Sequence, residues 1–315
     1  MTNIINSENG KNWTLWHGDT ADVARQIPDH SVGFSVFSPP FASLYTYSNS
    51  PRDMGNCKDD AEFFAHYDFL IKETARIMKP GRNVSIHCML MPTSKTRDGH
   101  IGQRDFRGDI IRAYQKHGFI FHSEVVIWKD PVTAMQRTKA LGLLWKQIKK
   151  DSCMSRMGIP DYVVTMRAPG DNKEPVEHKP EDFPVDLWQK YASPIWMDIN
   201  QSDTLQYRSA REHDDEKHIC PLQLEVIKRC MFMWSNPGDV VWSPFAGIGS
   251  EGHVALKEGR KFIGAELKDS YFKQACANLN AAENVGQVEL FSSLPLVKPI
   301  EPDEYDQYDA DAAQE

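Results

Sequence analysis

This 315-residue chain lacks several features that define common classes of protein. Its six cysteines include no CxxC pair, so the sequence indicates neither a zinc site nor a disulfide framework, and reduced thiols are expected. No apolar run approaches the roughly 18 residues that a membrane-spanning helix needs. The first ten residues are polar and contain no apolar signal segment. We therefore expect a soluble, cytoplasmic protein with no metal and no membrane partner.

An excess of positive charge is also missing, because the net charge is −8. The acidic residues are concentrated at the carboxyl end, where seven carboxylates between Val297 and Glu315 face a single lysine. We expect residues 296–315 to form an acidic, disordered tail, since so few apolar side chains cannot offset the entropy of ordering. Without this tail the chain is nearly neutral.

One internal segment reverses the balance of charge. Between Pro131 and Ala168, seven lysine and arginine residues face two aspartates. Such a segment in a near-neutral chain is typical of contact with nucleic-acid phosphates, although a solvated helix face has the same composition. The residues predicted to bind DNA are Arg137, Lys139, Lys146, Lys149, Lys150 and Arg156.

Strand and helix patterns alternate along most of the chain. Apolar runs typical of buried strands are separated by amphipathic segments from Asn12 to Trp128 and again from Pro221 to Ala281. This alternation predicts an α/β fold with a mostly parallel sheet. It breaks over residues 131–216, where a helix is expected at Ala140–Asp151 and a strand at Asp161–Arg167. The sequence leaves open whether that strand belongs to the sheet.

The segment Ser31–Phe41 contains a buried strand that ends in the tetrapeptide Ser38, Pro39, Pro40 and Phe41. The strand stops there because proline cannot donate a hydrogen bond to a sheet ladder. Open α/β sheets bind ligands at the carboxyl ends of their strands. The Ser38 hydroxyl and the carbonyls of Ser38 and Pro39 suit an exocyclic amino group, and Phe41 suits stacking on a base turned out of a duplex. The alternative is a strand that two prolines simply terminate.

A second candidate site follows near the carboxyl end. The segment Pro244–Gly249, PFAGIG, joins a short strand to a helix, and Glu266 lies at the end of the next strand. Glycines at such a turn let the backbone approach a ligand, and an acid on the next strand can bind ribose hydroxyls. The order of strand, FAGIG, helix, strand and GAE therefore predicts a site for a cofactor that contains adenosine.

Together these motifs resemble those of the amino-methyltransferases that act on DNA, in the permuted group whose catalytic tetrapeptide precedes the cofactor loop. SPPF resembles the catalytic (D/N/S)PP(Y/F) motif, PFAGIG the S-adenosyl-L-methionine loop, and GAEL the ribose-binding acid. Gly18-Asp19 resembles the acid near the cofactor adenine, and KHICPLQ resembles the segment near the methionine moiety. The cofactor-binding residues that the resemblance implies are Asp19, His218, Pro221, Ser243, Pro244, Phe245, Ala246, Gly247, Gly249 and Glu266.

The resemblance implies a Rossmann-like, doubly wound, seven-stranded methyltransferase sheet in circularly permuted order. Residues 1–130 and 217–295 would form the catalytic domain, and residues 131–216 would form a target-recognition region for double-stranded DNA. Ser243 departs from the family pattern, which has aspartate at the start of the loop. The resemblance therefore does not carry the contact of that aspartate with the methionine moiety over to Ser243.

The resemblance favours transfer of a methyl group to N4 of a flipped cytosine, because serine at the first catalytic position is more typical of N4-cytosine enzymes. Methylation of adenine N6 is the alternative within the class. Methylation of RNA or of a protein amide, and a nucleic-acid-binding protein that binds S-adenosyl-L-methionine without catalysis, are alternatives outside it. A restriction-modification role, with a homodimer or a cognate restriction endonuclease as partners, stays open.

Overall fold

A computed structural model of the chain describes residues 4–41, 54–93, 95–132, 149–154, 157–206 and 221–292. The strands are β1 (Ile4–Asn9), β2 (Trp13–Gly18), β3 (Phe34–Phe37), β4 (Asn83–Met89), β5 (Met91–Thr93), β6 (Gly102–Arg104), β7 (Ile120–Ile127), β8 (Asp161–Arg167), β9 (Ile195–Trp196), β10 (Val240–Ser243) and β11 (Lys261–Glu266). The helices are α1 (Thr20–Ala24), α2 (Asp60–Ile77), α3 (Lys95–Asp98), α4 (Phe106–Lys116), α5 (Val185–Tyr191), α6 (Leu224–Trp234), α7 (Ser250–Lys257) and α8 (Asp269–Ser292).

The main sheet has nine strands in the described residues, in the order β1-β2-β11-β10-β3-β4-β8-β7-β9. Only β1 and β8 run against the other strands of this sheet. The predicted α/β fold with a mostly parallel sheet is confirmed. The sheet exceeds the expected seven strands because β1 and β9 extend its two edges. Strands β5 and β6 form a separate two-stranded sheet.

The sequence left open whether the strand at Asp161–Arg167 belongs to the sheet. This strand, β8, lies inside the main sheet between β4 and β7. It pairs antiparallel with both neighbours over its whole length. Residues 131–216 thus contribute two strands, β8 and β9, to the main sheet. Target recognition by other residues of this range stays a prediction, and most of the helix expected at Ala140–Asp151 lies outside the described residues.

The chain divides into two compact units, Met1–Glu283 and Asn284–Glu315. The first contains both sheets. In the second, the described residues belong to the end of α8, and the predicted acidic tail lies outside the described residues. None of the helices in the described ranges combines the length and the apolar character that a membrane span requires. Within those ranges, no group of three or more potential metal ligands comes together.

Two clusters of buried apolar side chains cover the two faces of the main sheet. Because side chains alternate along a strand, Phe34 and Val36 of β3 join one cluster and Phe37 joins the other. Helices α6, α7 and α8 pack on the first face, and α1, α2 and α4 pack on the second. This three-layer arrangement leaves the ends of the strands as the places where polar side chains can meet a ligand.

Helix α2 shows how local sequence fixes one of these layers. Its side chains at helical spacing, including Phe63, Tyr67 and Leu70, are fully buried. Each such side chain contributes about 1.5–3 kcal/mol when it is removed from water. The pattern of residues 60–79 predicts a helix with Asp60 as its N-cap, but the helix is capped by Asp59, whose carboxylate accepts the Glu62 N–H. The sequence pattern shows two adjacent acids, and only the geometry of the turn distinguishes them.

Candidate active site

The carboxyl ends of the parallel strands lie at the same end of the main sheet, and both predicted motifs lie there. The tetrapeptide that begins with Ser38 follows β3, and the glycine loop follows β10. Glu266 ends β11, and Asp19 follows β2. Because β8 runs in the opposite direction, its first residue, Asp161, lies at the carboxyl ends of the parallel strands. The structure therefore brings the catalytic tetrapeptide, the glycine loop, Glu266 and Asp19 to the same end of the sheet.

Ser38 leaves β3 directly after Phe37, which pairs with Ile86 of β4. The next residue of β4 is His87, and its Nδ1 atom lies 3.0 Å from the Ser38 hydroxyl oxygen. A longer contact of 3.5 Å joins the same hydroxyl to the His87 carbonyl. Ser38 is half-buried and Pro39 is buried, so the hydroxyl is held at the strand end by β4. Its orientation is therefore fixed by a neighbouring side chain and not by solvent.

Phe41 lies beside the same histidine. Its ring makes edge-on contacts with the rings of His87 and Phe106, with centroid distances of 6.4 Å in both pairs. Perpendicular neighbours of this kind favour one ring orientation. Phe41 is half-buried, so part of the ring is accessible at the edge of the sheet. The arrangement suits a ring on which a planar ligand stacks.

Behind Ser38, His87 belongs to a buried chain of polar contacts that the sequence did not reveal. His87 Nε2 lies 3.1 Å from Asp161 Oδ2, and Lys129 Nζ lies 2.5 Å from Asp161 Oδ1. Asp161 is only 3% exposed. Burial alone would raise the pKa of its carboxyl, but the charges and hydrogen bonds of His87 and Lys129 outweigh that effect, and the pKa is lowered. Asp161 is therefore an ionised carboxylate at neutral pH.

The strand register explains how these residues come together. His87 pairs with Val163 of β8, and Asp161 lies two residues along, on the same face. Ile127 of β7 pairs with Asp161, which brings Lys129 just beyond the strand end. The contact chain from Ser38 to Lys129 thus joins the ends of four adjacent strands, β3, β4, β8 and β7.

The glycine loop has the backbone conformation that its sequence predicts. Gly247 has a φ of 54° and Gly249 a φ of 85°, both in the left-handed region that favours glycine. A Cβ atom at Gly249 would lie 3.2 Å from the Cβ of Ala275, whereas a Cβ at Gly247 would meet nothing within 4 Å. Gly249 therefore allows close packing of α8, and the backbone at Gly247 borders open space.

The residues around these glycines are held by the two neighbouring strands. The Ala246 N–H donates to the Ala265 carbonyl of β11 at 2.9 Å. Pro244 and Ala246 are buried, and Phe245 is half-buried with its ring 5.8 Å from that of Phe37. Phe37 is the last residue of β3, so Phe245 links the glycine loop to the strand that carries Ser38.

Glu266 accepts two backbone hydrogen bonds from the loop region. Its Oε2 accepts the Gly247 N–H and its Oε1 accepts the Lys268 N–H, both at 2.8 Å. These bonds fix the plane of the carboxylate beside the glycine turn. Glu266 pairs with His17 across β11 and β2, and Asp19 follows two residues later, where its Oδ1 accepts the N–H groups that begin α1. The two acids thus lie on adjacent strand ends.

Two further buried groups lie in this region. Ser243 is fully buried, and its hydroxyl has no hydrogen-bond partner among the described residues. Glu251, in the first turn of α7, is 4% exposed. Burial raises the pKa of Glu251 to about 8, and the nearby charge of Glu266 adds to the increase. An unpartnered hydroxyl, an open glycine backbone and a fixed carboxylate fit a polar cofactor that contains a ribose.

Several other predicted site residues lie partly or wholly outside the residues that the structure describes. Pro221 is half-buried just before α6, while His218 lies outside the described residues. Lys149 and Lys150 are exposed. The remaining predicted DNA-binding residues that lie outside the described residues are Arg137, Lys139, Lys146 and Arg156.

Sequence reasoning missed the residues behind Ser38. His87 lies within a buried apolar strand, and Asp161 is the first residue of another. The available signal was a polar side chain in a strand that is otherwise apolar. Their contact depends on the β4–β8 register, which is not readable from either segment alone. Glu251 was missed because nothing in its helix pattern shows that the side chain turns inward.

Comparison with known proteins supports the resemblance that the motifs indicated. A family model described as DNA methylase, N6_N4_Mtase, matches residues 32–277. The DNA adenine methyltransferase YhdJ of Escherichia coli (strain K12) is 40% identical over 290 residues, which cover 88% of this chain and 86% of that protein. The Type II methyltransferase M.BglII of Bacillus subtilis is 24% identical over 266 residues, which cover 82% of this chain and 66% of that protein.

Solved structures have the same fold. A DNA modification methylase from Thermus thermophilus, complexed with S-adenosyl-L-methionine, has a TM-score of 0.62 at 23% identity and covers 86% of this chain and 96% of its own. The PvuII DNA methyltransferase (cytosine-N4-specific) has a TM-score of 0.61 at 17% identity and covers 88% of this chain and 93% of its own. Since the family match spans most of the sequence, this chain belongs to the N6/N4 family of DNA amino-methyltransferases, whose methyl donor is S-adenosyl-L-methionine.

Proposed function

We propose that this protein is a site-specific DNA methyltransferase that methylates N4 of a cytosine turned out of the duplex. The observation that carries the proposal is the Ser38 hydroxyl, held by His87 at the end of β3 beside Phe41. Serine at this position is the family feature that favours cytosine over adenine. A hydroxyl that is fixed in orientation suits acceptance of a hydrogen bond from an amino group.

The chemistry divides between the two ends of the site. S-Adenosyl-L-methionine supplies an electrophilic methyl group. On the base side, Ser38 and the carbonyl oxygens of Ser38 and Pro39 accept hydrogen bonds from the amino group, which directs its lone pair at the methyl donor. Pro40 stiffens the turn, and Phe41 offers a stacking surface worth about 1–3 kcal/mol per base. Stacking of that size offsets part of the few kcal/mol needed to extrude the base.

On the cofactor side, Glu266 would bind the ribose hydroxyls. Its carboxylate plane is already fixed by backbone N–H groups from Gly247 and Lys268. Asp19, on the adjacent strand end, would lie near the adenine. Ser243 and the segment that includes Pro221 would face the methionine moiety, and the unpartnered Ser243 hydroxyl supports that role.

Methylation of adenine N6 is the second candidate. It is favoured by the relative from Escherichia coli, which is 40% identical and is named a DNA adenine methyltransferase. Both reactions require the same acceptors around an exocyclic amine, so the contacts of Ser38 do not separate them. The substrate base must be identified directly.

The experiment is methylation of unmodified plasmid DNA with isotopically labelled S-adenosyl-L-methionine, followed by nucleoside mass spectrometry. Labelled N4-methyldeoxycytidine is the expected product. Labelled N6-methyldeoxyadenosine would replace the cytosine assignment with the adenine one. A parallel reaction on total RNA tests whether RNA is the substrate, and label in RNA alone would refute a DNA substrate.

We also propose that DNA phosphates contact the basic segment within residues 131–168, which belongs to the proposed target-recognition region 131–216. The exposure of Lys149 and Lys150 supports this role, because exposed cations can approach a phosphate backbone. Residues 1–130 and 217–295 would then supply most of the chemistry, while Asp161, the first residue of β8, contributes to the site from within residues 131–216.

A further inference from the structure

We propose that His87, oriented by Asp161 and Lys129, is the positioning residue that directs the Ser38 hydroxyl and takes up, through it, the proton released by methylation. This inference rests on the proposed function, since it needs an amino group that loses a proton. The residues involved are joined by short contacts from Lys129 through Asp161 and His87 to Ser38.

The proposal requires one tautomer of His87. Asp161 is ionised and can only accept hydrogen bonds, and one of its oxygens accepts from Lys129. Its other oxygen lies 3.1 Å from His87 Nε2, in a close contact that does not have hydrogen-bond geometry, and we assign the ring hydrogen to Nε2 because this oxygen can only accept. Nδ1 is then an acceptor, and the Ser38 hydroxyl, 3.0 Å away, donates to it. The lone pairs of the Ser38 oxygen are left to accept an N–H group of the base.

The same residue types occur in serine hydrolases, but the turn after Ser38 lacks the backbone donors that those enzymes commonly use. Acyl transfer is commonly assisted by backbone N–H groups next to the nucleophile, which stabilise an oxyanion. The two residues after Ser38 are Pro39 and Pro40, which have no N–H group. The contact chain can therefore orient the hydroxyl and accept its proton, while the turn supplies no oxyanion donor from these positions.

The proposed step balances as follows. The lone pair of the amino nitrogen forms a bond to the methyl carbon, while the carbon–sulfur bond breaks and its electron pair stays on sulfur. The methylated nitrogen then has one proton in excess. That proton moves to Ser38 Oγ as the Ser38 proton moves to His87 Nδ1. The imidazolium that forms lies beside the Asp161 carboxylate and later releases its proton to water.

The surroundings of His87 suit this transient charge. His87 is 9% exposed, so a positive charge on it needs a nearby counterion. Asp161 supplies that counterion with one carboxylate oxygen, and Lys129 contacts the other oxygen.

The decisive variant is His87→Asn. The asparagine side chain can present an acceptor close to the position of Nδ1, but it cannot take up a proton. We expect kcat to fall by about 100-fold or more, within the usual range for general acid–base groups, while the affinity for S-adenosyl-L-methionine and the KM for DNA change little. His122→Asn, on the exposed start of β7, is the matched control and should keep wild-type activity.

A second comparison separates proton uptake from packing. In a Ser38→Ala background, His87→Asn should cause almost no further loss of kcat, because the path to the imidazole is already broken. Asp161→Asn keeps the size of the side chain and should lower kcat by about tenfold or more. Thermal melting and calorimetric titration with S-adenosyl-L-methionine establish that each variant is folded.

Three outcomes distinguish failure of the His87 proposal from failure of the proposed function. Wild-type kcat in folded His87→Asn would overturn the role of His87, and so would fully additive losses in the Ser38→Ala background. If wild-type protein methylates no exocyclic amine in DNA, the proposed function fails first. If wild-type protein methylates DNA and His87→Asn loses turnover but not binding, with no further loss in the Ser38→Ala background, both proposals are supported.

Discussion

Replacing Glu251 with glutamine should stabilise the protein increasingly as the pH rises. Burial raises the pKa of this carboxyl to about 8, with the charge of Glu266 adding to the effect, whereas in an unfolded chain it titrates near 4.5. Below about pH 4.5 both states are protonated, and the group makes no pH-dependent contribution. Between that pH and about 8, the unfolded chain ionises while the folded chain stays neutral. As the pH rises through this range, the free energy of unfolding therefore falls by about 1.36 kcal/mol per pH unit, up to about 4–5 kcal/mol in total.

Glutamine removes this titration while keeping the shape of the side chain. Its amide brings one new donor into a buried position, at a cost of about 1–3 kcal/mol if the donor stays unpaired. The variant should then be similar to or less stable than the wild type at pH 5, and more stable by about 2–4 kcal/mol near pH 8.5. The informative quantity is the change of this difference with pH, because the cost of the new donor does not depend on pH.

The measurement is urea unfolding of both proteins at pH 5, 7 and 8.5, followed by circular dichroism. Glu181→Gln, at an exposed position, is the matched control and should leave the pH dependence unchanged. Parallel stability curves for wild type and Glu251→Gln across this range would refute the assignment of a neutral buried carboxyl. The same result would mean that water or a rearrangement of α7 solvates the charge.

Three further predictions concern binding and stability. Glu266→Gln should weaken S-adenosyl-L-methionine binding by roughly 1.5–3 kcal/mol for each charge-assisted hydrogen bond that is lost, and unchanged affinity by calorimetry would contradict its proposed contact with ribose. Reversal of Lys149 and Lys150 to glutamate should weaken binding to all duplexes alike and reduce the salt slope by about 0.9 per lost phosphate contact, whereas an unchanged slope would indicate a solvated face. Asp198→Asn should lower the free energy of unfolding by about 1.5–3 kcal/mol, because Asp198 makes a two-pronged contact with the buried Arg229. Equal urea midpoints for wild type and variant would show that Glu225 alone suffices for Arg229.

The features that the sequence revealed are those encoded within one short segment. The buried strand before Ser38 is apolar at nearly every position, and two prolines mark its end. The glycine loop before α7 needs left-handed backbone at Gly247 and Gly249, which glycine alone adopts without strain. Each signal is local, so periodicity and turn chemistry were sufficient to locate both ends of the site.

The features that the sequence did not reveal depend on pairing between distant segments. Strand β1 was missed because its side chains are mostly exposed and show no apolar alternation. The place of Asp161 at the site depends on an antiparallel strand inserted among parallel ones. Glu251 looks like an ordinary acid in the first turn of a helix, where such residues are common. Its burial follows from the packing of α7, which no local pattern specifies.

The pairing of β2 with β11 has a consequence for synthesis of the protein on the ribosome. His17 and Leu267, which are in contact, are separated by 250 residues. At about 5–20 residues per second, roughly 12–50 seconds pass before the partner of β2 emerges. During that time β1 protects one edge of β2, while the other edge is open to wrong pairing with another chain. A nascent or truncated chain that ends before β11 also lacks Glu266, so it would be both prone to aggregation and unable to complete the cofactor site.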